Sequence, residues 1–257
     1  TGYSATEVIG LSSESFKTNQ HPPEFYLQHQ QQMASEGYLQ SELWSRRKDG
    51  GLFLARLSVS SVRDDNGEPT RYVSVFSDIT ELWRKDEHLK HLAFYDSLTN
   101  LPNRTLMMER LEQKILEYKR EPCQLALMFI DLNGFKFVND NFGHNAGDEL
   151  LKIVAQKLSA LVRESDTVAR MGGDEFIFIL NNPKTKQEVI DVAERILTSI
   201  NEPIDVSGTA IEIAMSIGVA MHPSDGASAD QLLKNADTAM YSAKKSAKNT
   251  VRFFADL

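Results

Sequence analysis

The run Arg170-Met171-Gly172-Gly173-Asp174-Glu175-Phe176 lies between two stretches of strand-forming residues. Paired glycines let the backbone take a tight, positive-φ turn and leave no side chain to obstruct a ligand. Two adjacent carboxylates at a sheet rim repel each other unless they share a cation. A solvated hairpin turn is the plain alternative, since Gly, Asp and Glu are ordinary turn residues. Asp131 adds another carboxylate, directly after the apolar run 125–130 (LALMFI). If that strand neighbours the hairpin expected over 168–180, Asp131 and Asp174 meet at one edge. Two carboxylates suit Mg²⁺ (or Mn²⁺), which takes one or two of them plus substrate phosphates. The segment Asn133-Gly134-Phe135-Lys136 then offers backbone N–H groups and a lysine, which can cradle phosphates. Lys244 and Lys248 lie four apart on one helical face, where a solvated basic helix end is the plainer reading.

These groups need a scaffold, and the pattern from residue 96 onward supplies one. It predicts a helix over 106–119, a buried strand over 124–131, a helix over 147–162 and a hairpin over 168–180. A helix over 186–200, a strand over 211–221, a helix over 229–245 and a strand over 251–254 follow. Interleaving of this kind implies an α/β (α+β) fold with a central sheet flanked by helices. Before it, residues 80–94 contain no Gly or Pro and carry Leu82, Leu89, Leu92 and Ala93 as an apolar stripe. This reads either as a surface helix joining two domains or as a short parallel coiled coil. Residues 38–47, 52–63 and 71–78 read as an antiparallel sheet turning at Gly50-Gly51 and Asn66-Gly67, preceded by short helices and loops.

With 257 residues the chain can hold one to two domains, and its net charge of −8 argues against a general nucleic-acid binder. The single cysteine, Cys123, excludes an intrachain disulfide and a Cys-based zinc site and fits a reducing, cytoplasmic setting. No apolar run reaches the length of a membrane span. The chain opens without a methionine, which leaves room for a membrane anchor upstream in a longer protein.

The second part resembles the GGDEF family of diguanylate cyclases over 96–257. Besides the signature turn it shows Asp96-Ser97-Leu98-Thr99-Asn100-Leu101-Pro102-Asn103-Arg104, then Phe129-Ile130-Asp131-Leu132-Asn133-Gly134-Phe135-Lys136 and Val138-Asn139-Asp140. Gly143-His144-Asn145-Ala146-Gly147-Asp148 and Ala236-Asp237-Thr238-Ala239-Met240-Tyr241-Ser242-Ala243-Lys244 complete the set. The resemblance implies condensation of two GTP to cyclic di-GMP and two pyrophosphates, with two domains facing each other in a homodimer. By matched position, Asp131, the Leu132 carbonyl and Asp174 would hold the metal, and Glu175 or Asp174 would handle the 3′-hydroxyl. Asn139 and Asp148 would read the guanine edge. Gly134, Phe135, Lys136, Gly172, Gly173, Lys244 and Lys248 would surround the triphosphate, and His144 would either touch substrate or pack the turn. Ala247 stands where a glycine is usual, which weakens the match at Lys248. Arg163-Glu164-Ser165-Asp166 resembles the family's RxxD inhibitory site for cyclic di-GMP, with Arg170 close enough in sequence to contribute.

Residues 1–79 resemble the latter part of a PAS domain, through Thr1-Gly2-Tyr3-Ser4, Trp44-Ser45-Arg46-Arg47-Lys48-Asp49-Gly50 and Tyr72-Val73-Ser74-Val75-Phe76-Ser77-Asp78-Ile79-Thr80. The family's first strands would precede Thr1, no residue names a ligand for this part, and 80–95 becomes a linker helix. The ending Arg252-Phe253-Phe254-Ala255-Asp256-Leu257 is compatible with a phosphodiesterase domain following. Two other functions stay open on these grounds: a non-catalytic regulator that binds GTP or cyclic di-GMP, and a sensor and dimerisation module with the second part as scaffold.

Overall fold

The computed structural model of the chain describes residues 1–118, 124–246 and 249–257. Cys123 and Lys248 lie outside them. The chain divides into two compact units, Thr1–Lys90 and His91–Leu257.

In the first unit, Ser4 caps the short helix α1 (Ala5–Val8) through a capping box with Glu7. Helix α2 (Pro23–Glu36) is longer than its polar sequence suggested. Pro23 starts it and Gly37, at φ +68°, stops it in the left-handed conformation. Strands β1 (Tyr38–Arg46), β2 (Leu52–Arg63) and β3 (Pro69–Asp78) form an antiparallel sheet in the order β1-β2-β3. Its core is Leu39, Leu43, Phe53, Leu54 and Ala55, while β3 is exposed along its whole length. At the end of β3, Asp78 accepts from the Thr80 hydroxyl at 2.6 Å and from Arg47. These bonds hold its carboxyl down at about 2. The Thr80 hydroxyl also accepts from the Leu54 N–H, tying the sheet to the first turn of α3 (Thr80–Phe94). Leu82, Leu89 and Leu92 of α3 are exposed, and the division between the units falls inside this helix.

The second unit is built on a five-stranded sheet in the order β10-β9-β4-β6-β5. Its members are β4 (Leu125–Asn133), β5 (Thr167–Gly172), β6 (Glu175–Asn181), β9 (Ala214–His222) and β10 (Thr250–Phe253). Neighbours are antiparallel except β9 and β10. Strand β4 lies at the centre and is buried from Leu125 to Leu132, as its unbroken apolar run requires. Helices α6 (His144–Ser159) and α7 (Lys186–Thr198) feed one core, while α4 (Arg104–Tyr118) and α8 (Ala229–Ser246) feed the other.

Three features depart from the sequence pattern. Helix α5 (Phe135–Phe142) stands where the pattern predicted no element, and α6 begins three residues before Gly147. Residues of low helix propensity form α5 because Gly134, at φ +92°, turns the chain into it and Gly143, at φ +85°, turns it out again. The expected strand over 211–221 is in fact two elements. Ile211 closes a small hairpin, β7 (Ile204–Val206) with β8 (Thr209–Ile211), and β9 starts only at Ala214. The hairpin turns at Ser207 and Gly208, both with positive φ.

Candidate active site

Side chains of β4 alternate between the two cores. Ala126, Met128, Ile130 and Leu132 pack with α6 and α7, whereas Leu125, Leu127 and Phe129 pack with α4 and α8. Asp131 continues the second set, so its carboxylate leaves the strand on the α8 side. The β4–β6 register pairs Asp131 with Glu175, which therefore leaves the sheet on that same side. The Leu132 N–H donates to the Asp174 carbonyl at 3.2 Å and ties the Gly-Gly turn to the end of β4. Asp131 and Asp174, expected to meet at one sheet edge, lie there together, and Glu175 joins them.

Helix α8 reaches this edge because of a glycine that belongs to no motif. A Cβ on Gly218 of β9 would lie 2.0 Å from the Met240 nitrogen and 2.1 Å from the Ala236 carbonyl. The helix lies that close to the strand only because the side chain is missing. Ala236, Ala239 and Ala243 on its inner face are small and buried. One residue past Ala243, Lys244 places its ammonium 2.7 Å from Asp131 Oδ1.

The signature turn is held from behind. Gly172 and Gly173 have φ +139° and +53°; Gly173 opens the two-residue turn that pairs Gly172 with Glu175, and Gly172 follows an irregularity in the β5–β6 register. Buried Arg170 donates twice to the Gly173 carbonyl, at 3.1 and 2.8 Å, and to both oxygens of Asp96, at 2.8 and 3.0 Å. This corrects the expected place of Arg170. Its guanidinium is committed to Asp96 and the turn and does not join Arg163 and Asp166. Burial acts against the Asp96 charge, but the bonds from Thr99 and Arg170 outweigh it and hold its carboxyl below the usual range.

At the turn the balance runs the other way. Burial, and next the charge of Asp131, raise the Asp174 carboxyl. Burial, then Asp174, Asp131 and Asp237, raise Glu175, with Lys244 opposing. These like charges crowd together where a cation would relieve them. Among the described residues no group of three or more His, Cys, Asp or Glu is arranged to hold a metal unaided. The set on offer is Asp131 and Asp174, hard oxygen donors that fit Mg²⁺ when phosphate oxygens complete the shell.

Next to this edge, α5 begins two residues after β4 ends, so the first-turn N–H groups of Phe135 and Lys136 lie directly beyond Leu132. Asn139 on α5 packs against Gly147 of α6, the residue before Asp148. A Cβ there would lie 2.0 Å from Asn139 Oδ1, so the amide packs into the space that glycine leaves. His144, first residue of α6, is exposed and does not pack the turn.

Arg163 and Asp166 share a turn at the start of β5, on which the Arg163 N–H donates to Asp166 at 3.3 Å. The Arg163 guanidinium is exposed and pairs with Glu188, and Asp166 is buried, accepting from the Asn181 N–H at 3.0 Å. Beside them a cavity of about 260 Å³ is lined by Arg110 and Lys114 of α4 together with Asp166. Sequence reading missed Arg110, which lies far from Arg163 along the chain.

Residues 93–250 match the family described as diguanylate cyclase, GGDEF domain. The chain belongs to the GGDEF family. Residues 1–81 match a PAS domain. The bifunctional diguanylate cyclase/cyclic di-GMP phosphodiesterase MucR of Pseudomonas aeruginosa is 43% identical over 175 residues, 68% of this chain and 25% of MucR. The diguanylate cyclase TpbB of the same organism is 39% identical over 181 residues, 68% of this chain and 42% of TpbB. The chain thus spans between a quarter and less than half of these relatives. The crystal structure of the TpbB GGDEF domain aligns with TM-score 0.59 at 37% identity, covering 60% of this chain and 97% of that one. The coiled coil and GGDEF domain of DgcB from Caulobacter crescentus, solved in complex with c-di-GMP, aligns with TM-score 0.60 at 27% identity, covering 67% and 93%. Among the described residues of this PAS–GGDEF chain, no helix is long and apolar enough to cross a membrane.

Proposed function

We propose that the GGDEF domain is an active diguanylate cyclase, joining two GTP into cyclic di-GMP with release of two pyrophosphates. The observation that carries this reading is the convergence of Asp131, Asp174 and Glu175 on one sheet edge beside the α5 N-terminus. Asp131, Asp174 and the Leu132 carbonyl would hold Mg²⁺ (or Mn²⁺), whose chemistry is neutralisation of charge on the reacting phosphates. Glu175, its carboxyl raised by burial and its acidic neighbours, would orient the 3′-hydroxyl and take its proton, a role Asp174 could share. The hydroxyl oxygen then attacks the α-phosphate of the second GTP, and pyrophosphate leaves with the electrons of the broken P–O bond. Each domain carries one GTP, so turnover requires a homodimer. Gly172 and Gly173 leave room for the nucleotide, and the N–H groups of Phe135 and Lys136 receive its phosphates once Gly134 has turned the chain.

Asn139 and Asp148 would read guanine, with exposed His144 at the pocket rim. Adenine lacks O6 and the N1–H and N2 donors, so ATP leaves those partners unpaired, at about 1–3 kcal/mol per group. Arg163 and Asp166, with Arg110 from α4, would form the product-inhibitory site. The PAS region would set activity through α3, and a phosphodiesterase domain like that in the name of MucR would fit a longer chain. Incubation with GTP and Mg²⁺, followed by chromatography, should give cyclic di-GMP and pyrophosphate in a 1:2 ratio, and none from ATP. Nucleotide binding without that product would favour a regulatory module.

A further inference from the structure

Asp131 is the most deeply buried carboxylate of the site, its side chain only 9% exposed, and it pairs with the Lys244 ammonium at 2.7 Å. The Lys244 side chain is 44% exposed, so its ammonium can swing into solvent without unpacking α8. Among the described residues, Arg170, the other cation acting on Asp174, is not available, because it is bonded to Asp96 and the Gly173 carbonyl. Among the described residues no Lys or Arg forms an ion pair with Asp174. One carboxylate of the proposed metal pair therefore carries an ammonium and the other does not. An ammonium and a divalent cation on the same carboxylate oxygen repel strongly in a partly buried setting.

We propose that Lys244 competes with the divalent cation for Asp131, and that nucleotide phosphates decide the competition by drawing Lys244 away. Metal and nucleotide binding are then positively coupled through one side chain. The cation binds weakly alone because it must displace Lys244, and the nucleotide raises cation affinity by giving the ammonium another anion. Coupling is reciprocal, so the cation raises nucleotide affinity by the same factor, typically about 5- to 150-fold. This inference rests on the assignment of Asp131 and Asp174 as metal ligands and adds to it an order of events and the residue that imposes it.

The test is Mn²⁺ titration of the full chain, followed by electron paramagnetic resonance, with and without a GTP analogue whose α,β-bridging oxygen is replaced by methylene. Wild type should bind Mn²⁺ weakly alone and roughly tenfold or more tighter with the analogue. Lys244→Met keeps the aliphatic stem and removes the charge. It should bind Mn²⁺ alone about tenfold tighter than wild type, and the further gain from the analogue should shrink by about the same factor, leaving the part that comes from phosphate oxygens binding the metal directly. Lys245→Met removes the same charge from the next position, where the ammonium lies 4.2 Å from the Tyr241 ring. It should leave both affinities within about twofold of wild type, which separates competition at Asp131 from a general charge effect. Equal Mn²⁺ affinity in wild type and Lys244→Met, with the analogue still enhancing both, would overturn the competition and leave the metal assignment standing. Absence of Mn²⁺ binding in every variant, even with the analogue, would overturn both.

Discussion

Gly218→Ala tests how α8 is brought to the catalytic edge. The added methyl would lie 2.0 Å from the Met240 nitrogen, 2.1 Å from the Ala236 carbonyl and 2.7 Å from the Met240 Cα. All three are backbone atoms of a helix, so no rotamer change can relieve the overlap. Restoring van der Waals contact requires α8 to retreat from β9 by about 1.4 Å. Overpacking of this kind costs typically about 1–3 kcal/mol. In a unit of this size each kcal/mol lowers Tm by roughly 2–4 °C, so a fall of about 2–12 °C is expected. Retreat also carries Lys244 away from the edge where it would meet the nucleotide phosphates, so cyclase turnover should fall along with stability. Thermal melting of the full chain by far-UV circular dichroism, alongside the GTP assay, measures both. A Tm within about 1 °C of wild type, with unchanged turnover, would refute the claim that Gly218 sets the position of α8.

Gly147→Ala makes the opposite prediction about where the cost falls. Its Cβ would meet the Asn139 side-chain oxygen at 2.0 Å, a side chain that can swing away, so stability should hardly change. Affinity for a fluorescent GTP analogue should drop by roughly tenfold as the guanine-reading amide is displaced, and unchanged affinity would remove Asn139 from base recognition. Arg163→Ala should spare turnover while weakening inhibition by added cyclic di-GMP, and full inhibition of the variant would return that turn to ordinary surface. Arg170→Ala should instead lower the urea midpoint, because it strands the Asp96 charge at a cost near 3 kcal/mol, the lower end for such pairs. An unshifted midpoint would contradict the buried role of Arg170.

The strand at 125–133 was legible because an unbroken apolar run ending in Asp has few other placements, and the hairpin beside it because paired glycines mark its turn. Their convergence at one edge depended on strand order, which the sequence pattern leaves open and the resemblance supplied. Helix α5 was not legible, since Phe, Val, Asn and Asp favour no helix locally and the two bounding glycines impose it. Arg170 was misplaced because sequence distance puts it close to Arg163. In the strand its side chain instead reaches Asp96, 74 positions away along the chain. Gly218 gave no signal at all. Nothing around it marks a turn, and its reason is the backbone of a helix packed across the strand.

Asp174→Asn is the most direct test that the acidic edge is a catalytic centre. The Asp174 carboxyl is raised above its ordinary 3.8, chiefly by burial and next by Asp131, so its ionised form opposes folding. The folded chain holds this proton to higher pH than the unfolded chain. The destabilisation is therefore absent below the ordinary 3.8, develops as pH rises above it, and is complete once pH exceeds the raised value. Without added divalent cation, Asp174→Asn should melt above wild type at pH 7 and together with it near the bottom of that range. With GTP and Mg²⁺ at pH 7, wild type should form cyclic di-GMP while the more stable variant forms none. Near-wild-type product from Asp174→Asn would contradict a catalytic centre at this edge.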